Sequence, residues 1–186
     1  VYKRQVYVRR SMDIMSDRAR SNLWIIDVRS GEHRPLLSGT QSYSMPRWSK
    51  DGKRLAYVSS VDRGAQIYVR WMDSGETARV TNLTRAPSSI TFSPDGEHLA
   101  FTAFVETKRE PMAKLPAAPE GAKWAKPAKV IEETVYRADG SGYLDLGFDH
   151  VFLVPSDGGT ARQLTRGDYD HDGPLNFSPD GDILYF

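Results

Sequence analysis

Short apolar segments separated by tight-turn residues run along most of this chain and predict a succession of β-strands. In residues 90–101, apolar and polar positions alternate on both sides of the sequence Ser-Pro-Asp-Gly. Alternation of this kind is typical of strands with one buried face. Pro94 restricts φ at the second position of a type I turn, and Gly96 tolerates the left-handed conformation that closes it. The segment is therefore predicted to be a β-hairpin.

The hairpin pattern occurs three times, at a spacing that indicates repeated units. An aromatic residue precedes Ser, Asp-Gly follows one residue later, and Leu stands four positions after the Asp, in residues 48–57, 92–101 and 177–186. Gly52 and Gly96 are 44 residues apart, and a second turn signal at Gly31 and Gly75 keeps the same interval. A fixed period of roughly 40–45 residues indicates the blades of a β-propeller.

Each repeat is predicted to contain four antiparallel strands, which we name A to D in chain order. Strand A carries the aromatic residue before Ser, strand B the Leu after Asp-Gly, strand C the next apolar run, and strand D the return after a second turn. The predicted fold is all-β, a partial β-propeller of four-stranded antiparallel blades with a period of about 44 residues. The predicted units are residues 1–37, 46–83, 88–165 with an insertion near 105–149, and an incomplete unit at 173–186.

The strand order predicts two unlike faces. Because strand direction alternates within a blade, the A–B and C–D turns lie on one face, which we call the turn face. The B–C and D–A connections lie on the other, which we call the connection face. That face is predicted to hold longer polar loops, among them residues 11–21, 38–45 and 166–174. Varied loops on a rigid scaffold commonly carry binding, so we expect the working surface there.

A long insertion lies in the third unit, between a strand B that ends near Phe104 and a strand C that starts near His150. Its first half, residues 106–129, contains four prolines and six basic residues, which favours an extended surface segment. Its second half, residues 130–143, has a strand pattern up to Arg137 followed by a turn signal. A degenerate extra blade is the alternative interpretation.

Two acidic sequences of the predicted connection face are candidate sites. Glu132 and Glu133 are adjacent carboxylates that could hold the ammonium group of a substrate, and a solvated pair of loop side chains is the alternative. Residues 168–172 bring three Asp and one His together, a composition that could bind a hard cation. We interpret that cluster as a polar loop whose Asp side chains accept backbone hydrogen bonds, and we predict no metal site.

The remaining motifs and the composition exclude several function classes. The chain contains no GxSxG nucleophile motif, no phosphate-binding P-loop and no GxGxxG sequence, so we predict neither catalytic residues nor a cofactor within it. The net charge of +1 gives no electrostatic case for nucleic acid or for a membrane surface as a partner. No apolar run approaches the roughly 18–20 residues that span a bilayer. With no Cys, the chain has no disulfide framework.

The hairpin repeats resemble the propeller repeats of TolB-type proteins and of the prolyl oligopeptidase family of serine peptidases. The insertion sequence at residues 135–143 and the sequence at residues 163–170 resemble, more narrowly, the acylaminoacyl-peptidase-like branch of those peptidases. The resemblance implies that this chain is an N-terminal β-propeller segment, with a catalytic α/β-hydrolase domain bearing Ser, Asp and His downstream. A full ring of seven such repeats would need roughly 300 residues, so we expect the 186 residues to be a fragment of it.

The resemblance also implies a function. The parent protein would hydrolyse short peptides, and this non-catalytic segment would gate and position the substrate over the hydrolase domain. Its partners would be the peptide substrate and its own C-terminal hydrolase domain, with Glu132 and Glu133 as candidate substrate contacts. The alternative is a TolB-like periplasmic protein-interaction propeller with no enzymatic domain. We expect a cytoplasmic location, with the periplasm as the alternative.

Overall fold

Antiparallel β-strands make up the regular structure of the chain in a computed structural model that describes residues 3–60, 64–107, 116–125, 130–131 and 133–186. The first sheet is three-stranded and consists of β1 (Arg4–Asp13), β2 (Arg18–Asp27) and β3 (His33–Leu37). The second is a four-stranded meander of β4 (Tyr43–Trp48), β5 (Arg54–Ser60), β6 (Ala65–Trp71) and β7 (Thr77–Arg79).

The third sheet is also four-stranded, but a long insertion separates its two central strands. It is formed by β8 (Pro87–Phe92), β9 (His98–Glu106), β12 (Gly147–Pro155) and β13 (Arg162–Gln163). Two short hairpins complete the set, β10 (Arg137–Ala138) with β11 (Gly142–Tyr143) and β14 (Asn176–Phe177) with β15 (Leu184–Tyr185). The predicted all-β fold class, with four-stranded antiparallel sheets, is confirmed.

The central strands are apolar on both faces because they lie between neighbouring sheets. In β5, Ala56 and Val58 point into the core shared with the third sheet. The alternate residues, Leu55 and Tyr57, point into the core shared with the first sheet. Successive side chains of a strand point to opposite faces, so a strand covered on both sides reads as a nearly continuous apolar run. This packing holds the sheets against one another as a scaffold.

The Ser-x-Asp-Gly turns between strands A and B have the geometry that the sequence predicts. Gly96 N–H donates to Ser93 O at 2.9 Å, which closes the four-residue turn. The φ of Gly96 is 76°, and the equivalent glycines, Gly52 and Gly181, have φ values of 70° and 87°. Only glycine adopts this left-handed region without a steric cost, which accounts for its presence in every copy of the turn.

The prediction of a polar loop at residues 11–21 is wrong. Strands β1 and β2 pair without interruption from Arg4↔Asp27 to Asp13↔Arg18, so only residues 14–17 form a turn. Exposed strand positions carry polar side chains on both faces here and therefore lack the alternation that identifies a half-buried strand. The result is a hairpin that extends beyond the core.

The insertion is anchored by strands that run further than the sequence suggested. Strands β9 and β12 stay paired as far as Glu106↔Gly147, so residues 107–146 connect the two strands along the chain. Of the described residues within the strand predicted over 130–137, Arg137 alone is in a strand, where it pairs with Tyr143 in the β10–β11 hairpin. Among the described residues, no helix has the length and apolar character needed to cross a bilayer.

Candidate functional site

Hydrogen bonds place the connections on the two faces that the strand order requires. On the turn face, Arg54 Nη1 donates to Ser156 Oγ at 2.7 Å, and Ser156 Oγ donates to Gly96 O at 2.7 Å. These bonds join A–B turns of the second and third sheets to a C–D turn. On the connection face, His171 N–H donates to Asp149 O at 2.8 Å, which joins a D–A connection to the base of the insertion.

A groove of about 780 Å³ opens on the connection face between the insertion and two D–A connections. Its apolar wall consists of Ala86, Phe104, Val135, Leu144, Leu146 and Phe148. Its charged residues are Arg85, Glu133, Asp145, Asp149 and Asp170. Pockets that bind small ligands typically have volumes of about 300–1,000 Å³, with apolar walls and a few polar groups. This groove has both properties.

Among the described residues that line the groove, the one cation is Arg85, and it is held by carboxylates on both sides. Arg85 Nη2 lies 2.6 Å from Asp145 Oδ2 and 3.5 Å from Glu106 Oε2. The guanidinium also lies over the ring of Phe104, 5.5 Å from its centroid. The bridge ties the D–A connection to both ends of the insertion. Among the described lining residues, acidic side chains outnumber this one Arg.

Burial perturbs Asp149, which lines the groove, and His150, its neighbour in the chain. The pKa of Asp149 is raised, first because burial disfavours its carboxylate and then because Asp170 and Asp172 lie nearby. The pKa of His150 is lowered, first by burial and then by His171. A carboxylate held in an unfavourable setting inside a cleft is a common property of functional sites.

Of the two site residues predicted from the sequence, Glu133 is in the described part of the chain and Glu132 is not. Glu133 is exposed and lies between the groove and a smaller adjoining pocket of about 310 Å³ within the insertion. Glu132 lies outside the described residues. Glu133 therefore has the position that a substrate contact on this face would need, and the pair remains a prediction.

The acidic segment 168–172 serves as a tether of the connection face. Asp170 Oδ1 accepts a hydrogen bond from Asp149 N–H at 2.8 Å, as the polar-loop interpretation predicts for this side chain. The ring of His171 packs near those of His150, Tyr169 and Phe186. No group of three or more acidic, His or Cys side chains in the described part of the chain could hold a metal ion.

Sequence reasoning missed most of the groove. Arg85, Phe104, Asp145 and Asp149 come from separate connections and strand ends, and no local motif links them. Their proximity depends on the pairing of β9 with β12 across the insertion. The one signal in the sequence is the irregular interval between the second and third hairpins, which shows where the insertion begins and ends.

Comparison with known proteins adds a family and several relatives. A protein-family model described as the TolB beta propeller domain matches residues 2–111. The chain is 29% identical over 192 residues to the "Uncharacterized peptidase YuxL" of Bacillus subtilis. That alignment covers 98% of this chain and 27% of the relative, so the chain spans about a quarter of that protein's length.

Solved structures share the fold. TolB from Acinetobacter baumannii superposes with a TM-score of 0.64 at 20% identity, over 98% of this chain and 35% of that one. The acylaminoacyl peptidase of Pyrococcus horikoshii superposes with a TM-score of 0.64 at 19% identity, over 88% of this chain and 23% of that one. At these identities the likeness shows a common propeller architecture.

Proposed function

This chain belongs to the TolB β-propeller domain family, and we propose that it is the non-catalytic propeller segment of a serine peptidase. The peptidase would be of the prolyl oligopeptidase family, acylaminoacyl-peptidase-like branch, and would hydrolyse short peptides. In this proposal an α/β-hydrolase domain downstream of residue 186 supplies the Ser nucleophile, the His base and the Asp that orients it. The propeller gates and positions the peptide.

The observation that carries this proposal is the alignment with the Bacillus peptidase over 98% of the chain, which includes the insertion that forms the groove. The groove supplies a physical means of positioning. Its apolar wall can cover side chains of a peptide, and its acidic groups favour a cationic end over an anionic one. Positioning of a substrate over a separate catalytic group can contribute a large part of a rate enhancement.

In this proposal the carboxylates of Glu132 and Glu133 contact the free ammonium group of the peptide. Glu133 lies in the lining of the groove and is exposed, so it can reach a ligand there.

The test replaces both residues in the full-length protein, as Glu132→Gln with Glu133→Gln. We expect kcat/KM to fall about tenfold or more for peptides with a free N-terminus, because a hydrogen bond to a charged group contributes about 1.5–3 kcal/mol. Peptides with a blocked N-terminus should be cleaved at the unchanged rate. Glu120→Gln, at another exposed acid of the insertion, is the matched control and should affect neither substrate.

Equal loss on both substrates, or no loss on either, would rule out capture of the ammonium group. Such a result would leave the peptidase assignment itself in place, because cleavage of the blocked peptide measures that separately. A full-length protein that cleaves neither substrate would contradict the assignment.

A TolB-like protein-interaction propeller in the periplasm is the second candidate, because TolB superposes as well as the peptidase does, with a TM-score of 0.64 for each. The gene downstream of residue 186 distinguishes the two. A GxSxG motif followed by Asp and His supports the peptidase, for which we propose a cytoplasmic location. A stop codon soon after the ring is complete supports the interaction propeller.

A further inference from the structure

The tip of the β1–β2 hairpin presents apolar side chains to solvent. Ile14 and Met15 are each 91% exposed, and Met12 next to them is 71% exposed. A tight turn is normally built from Gly, Asn, Asp or Ser, whose side chains interact well with water. Clustered exposed apolar side chains on a soluble scaffold usually mark a surface that contacts another molecule or domain.

The tip is held in a fixed conformation. Asp13 Oδ1 accepts a hydrogen bond from Met15 N–H at 3.1 Å, and Asp13 Oδ2 accepts one from Ser16 Oγ at 2.8 Å. Arg20 Nη2 lies 2.9 Å from the same oxygen. Ten consecutive residue pairs connect this turn to the core. A preorganised tip loses little conformational entropy on docking, so its apolar side chains can contribute fully to a contact.

The outer part of the hairpin carries more basic than acidic residues. Residues 9–20 contain four Arg and two Asp. Arg20 is paired with Asp13, whereas Arg10 and Arg18 are exposed. The complementary surface is therefore an apolar pocket with an acidic rim.

The hairpin shares the connection face with the groove. A cleft brings the end of the hairpin, at Ser16 and Arg18, next to the D–A connection at Thr40–Ser42 and to the end of β5 at Ser60. In the described part of the chain, nothing covers the side chains of Ile14 and Met15. A body that covers the groove from this face would also meet the tip.

We propose that the β1–β2 hairpin tip docks into an apolar, acid-rimmed pocket of the catalytic domain and fixes that domain over the connection face. This inference rests on the proposed function. Three observations favour the catalytic domain as the partner of the tip. The tip lies on the same face as the groove, and the hairpin carries more basic than acidic residues. The chain spans only 27% of the Bacillus peptidase, so a parent protein of that length has room for the catalytic domain. The tip is thus an interdomain anchor that governs access to the groove.

The test places a photoreactive group at the tip of the full-length protein. The chain has no Cys, so Ile14→Cys, with any cysteine beyond residue 186 replaced, gives one attachment point for a benzophenone maleimide. We expect an intramolecular crosslink to the catalytic domain, identified by mass spectrometry. Lys50→Cys, at an exposed position of a turn-face hairpin, is the matched control and should give no such crosslink.

A crosslink to a second copy, to added lipid vesicles, or to nothing would overturn the inference. A second measurement uses Ile14→Asp with Met15→Asp, both at positions exposed enough for folding to be unaffected. We expect cleavage between the domains by an added protease to become about tenfold faster, because the substitutions remove apolar contacts at the docking surface. An unchanged cleavage rate would contradict the anchor.

The two proposals fail in different ways. A full-length protein without peptidase activity overturns the proposed function, and this inference with it. An active peptidase whose Ile14→Cys variant gives no crosslink to the catalytic domain overturns the inference alone.

Discussion

The turn face and the connection face are built from the same strands, yet they differ in how regular they are. On the turn face, the same bond recurs in each A–B turn: Ser49 Oγ donates to Asp51 at 2.6 Å, and Ser93 Oγ donates to Asp95 at 2.5 Å. The third copy, with Ser178, has the same bond. On the connection face, a four-residue turn, a short polar connection and a 40-residue insertion share no pattern.

The carboxylates of the two faces also differ in the direction of their pKa shifts. The pKa values of Asp51, Asp95 and Asp180 are lowered, in each case first by the hydrogen bond from the neighbouring Ser. The pKa of Asp149, in the groove, is raised, first by burial. The turn-face carboxylates are therefore stabilised by their surroundings, while the groove holds one that is not. In this fold, repetition marks the scaffold and irregularity marks the candidate site.

Removal of a repeated turn hydroxyl should cost more stability than removal of its connection-face counterpart. Ser93 is 6% exposed and its Oγ accepts from His98 N–H at 2.9 Å while donating to Asp95, so Ser93→Ala breaks both bonds. We expect Ser93→Ala to lower the free energy of unfolding by about 1–3 kcal/mol. Ser16→Ala, which removes an exposed hydroxyl that donates to Asp13, should change it by about 0.5 kcal/mol or less.

Urea denaturation of the full-length protein and of both variants measures the difference, monitored by a probe confined to the propeller. Equal losses of unfolding free energy for the two variants would show that the turn-face hydroxyl contributes no more to stability than the connection-face hydroxyl. That result would contradict the contrast between the turn face and the connection face.

The sequence predicts the turn face well because its determinants are local. The left-handed Gly96 and the Ser93–Asp95 bond lie within four residues of each other, and their repetition gives the blade period. The groove depends on contacts between distant segments, as in the pairing of Arg85 with Asp145. The sequence fails to predict the β1–β2 hairpin for a second reason, since its exposed strands carry polar residues on both sides.

The contributions of Asp95 and Asp149 to the free energy of unfolding should change in opposite directions with pH. We expect these changes to be smaller than the effect of Ser93→Ala. The folded pKa of Asp95 is lowered, so the stability that it contributes is present above its unfolded pKa of about 3.9 and is lost as the pH falls through the folded value. The folded pKa of Asp149 is raised, so its contribution to stability decreases as the pH rises from about 3.9 through the folded value.

The free energies of unfolding of Asp95→Asn and Asp149→Asn separate these contributions when they are measured between about pH 3 and about pH 7. Relative to the unmodified protein, Asp95→Asn should lose less stability on acidification, whereas Asp149→Asn should lose less as the pH rises. Slopes of the same sign for the two variants would contradict the contrast between the faces.

The most direct test of the central claim, that the connection face is the working surface, is hydrogen exchange of the full-length protein with and without a non-hydrolysable peptide. Exchange reports protection residue by residue along the backbone. We predict that the peptide slows exchange at the groove, around Arg85, Phe104 and 144–149, and leaves the A–B turns at 49–54 and 93–98 unchanged. Protection of the turns, with an unchanged groove, would contradict the account.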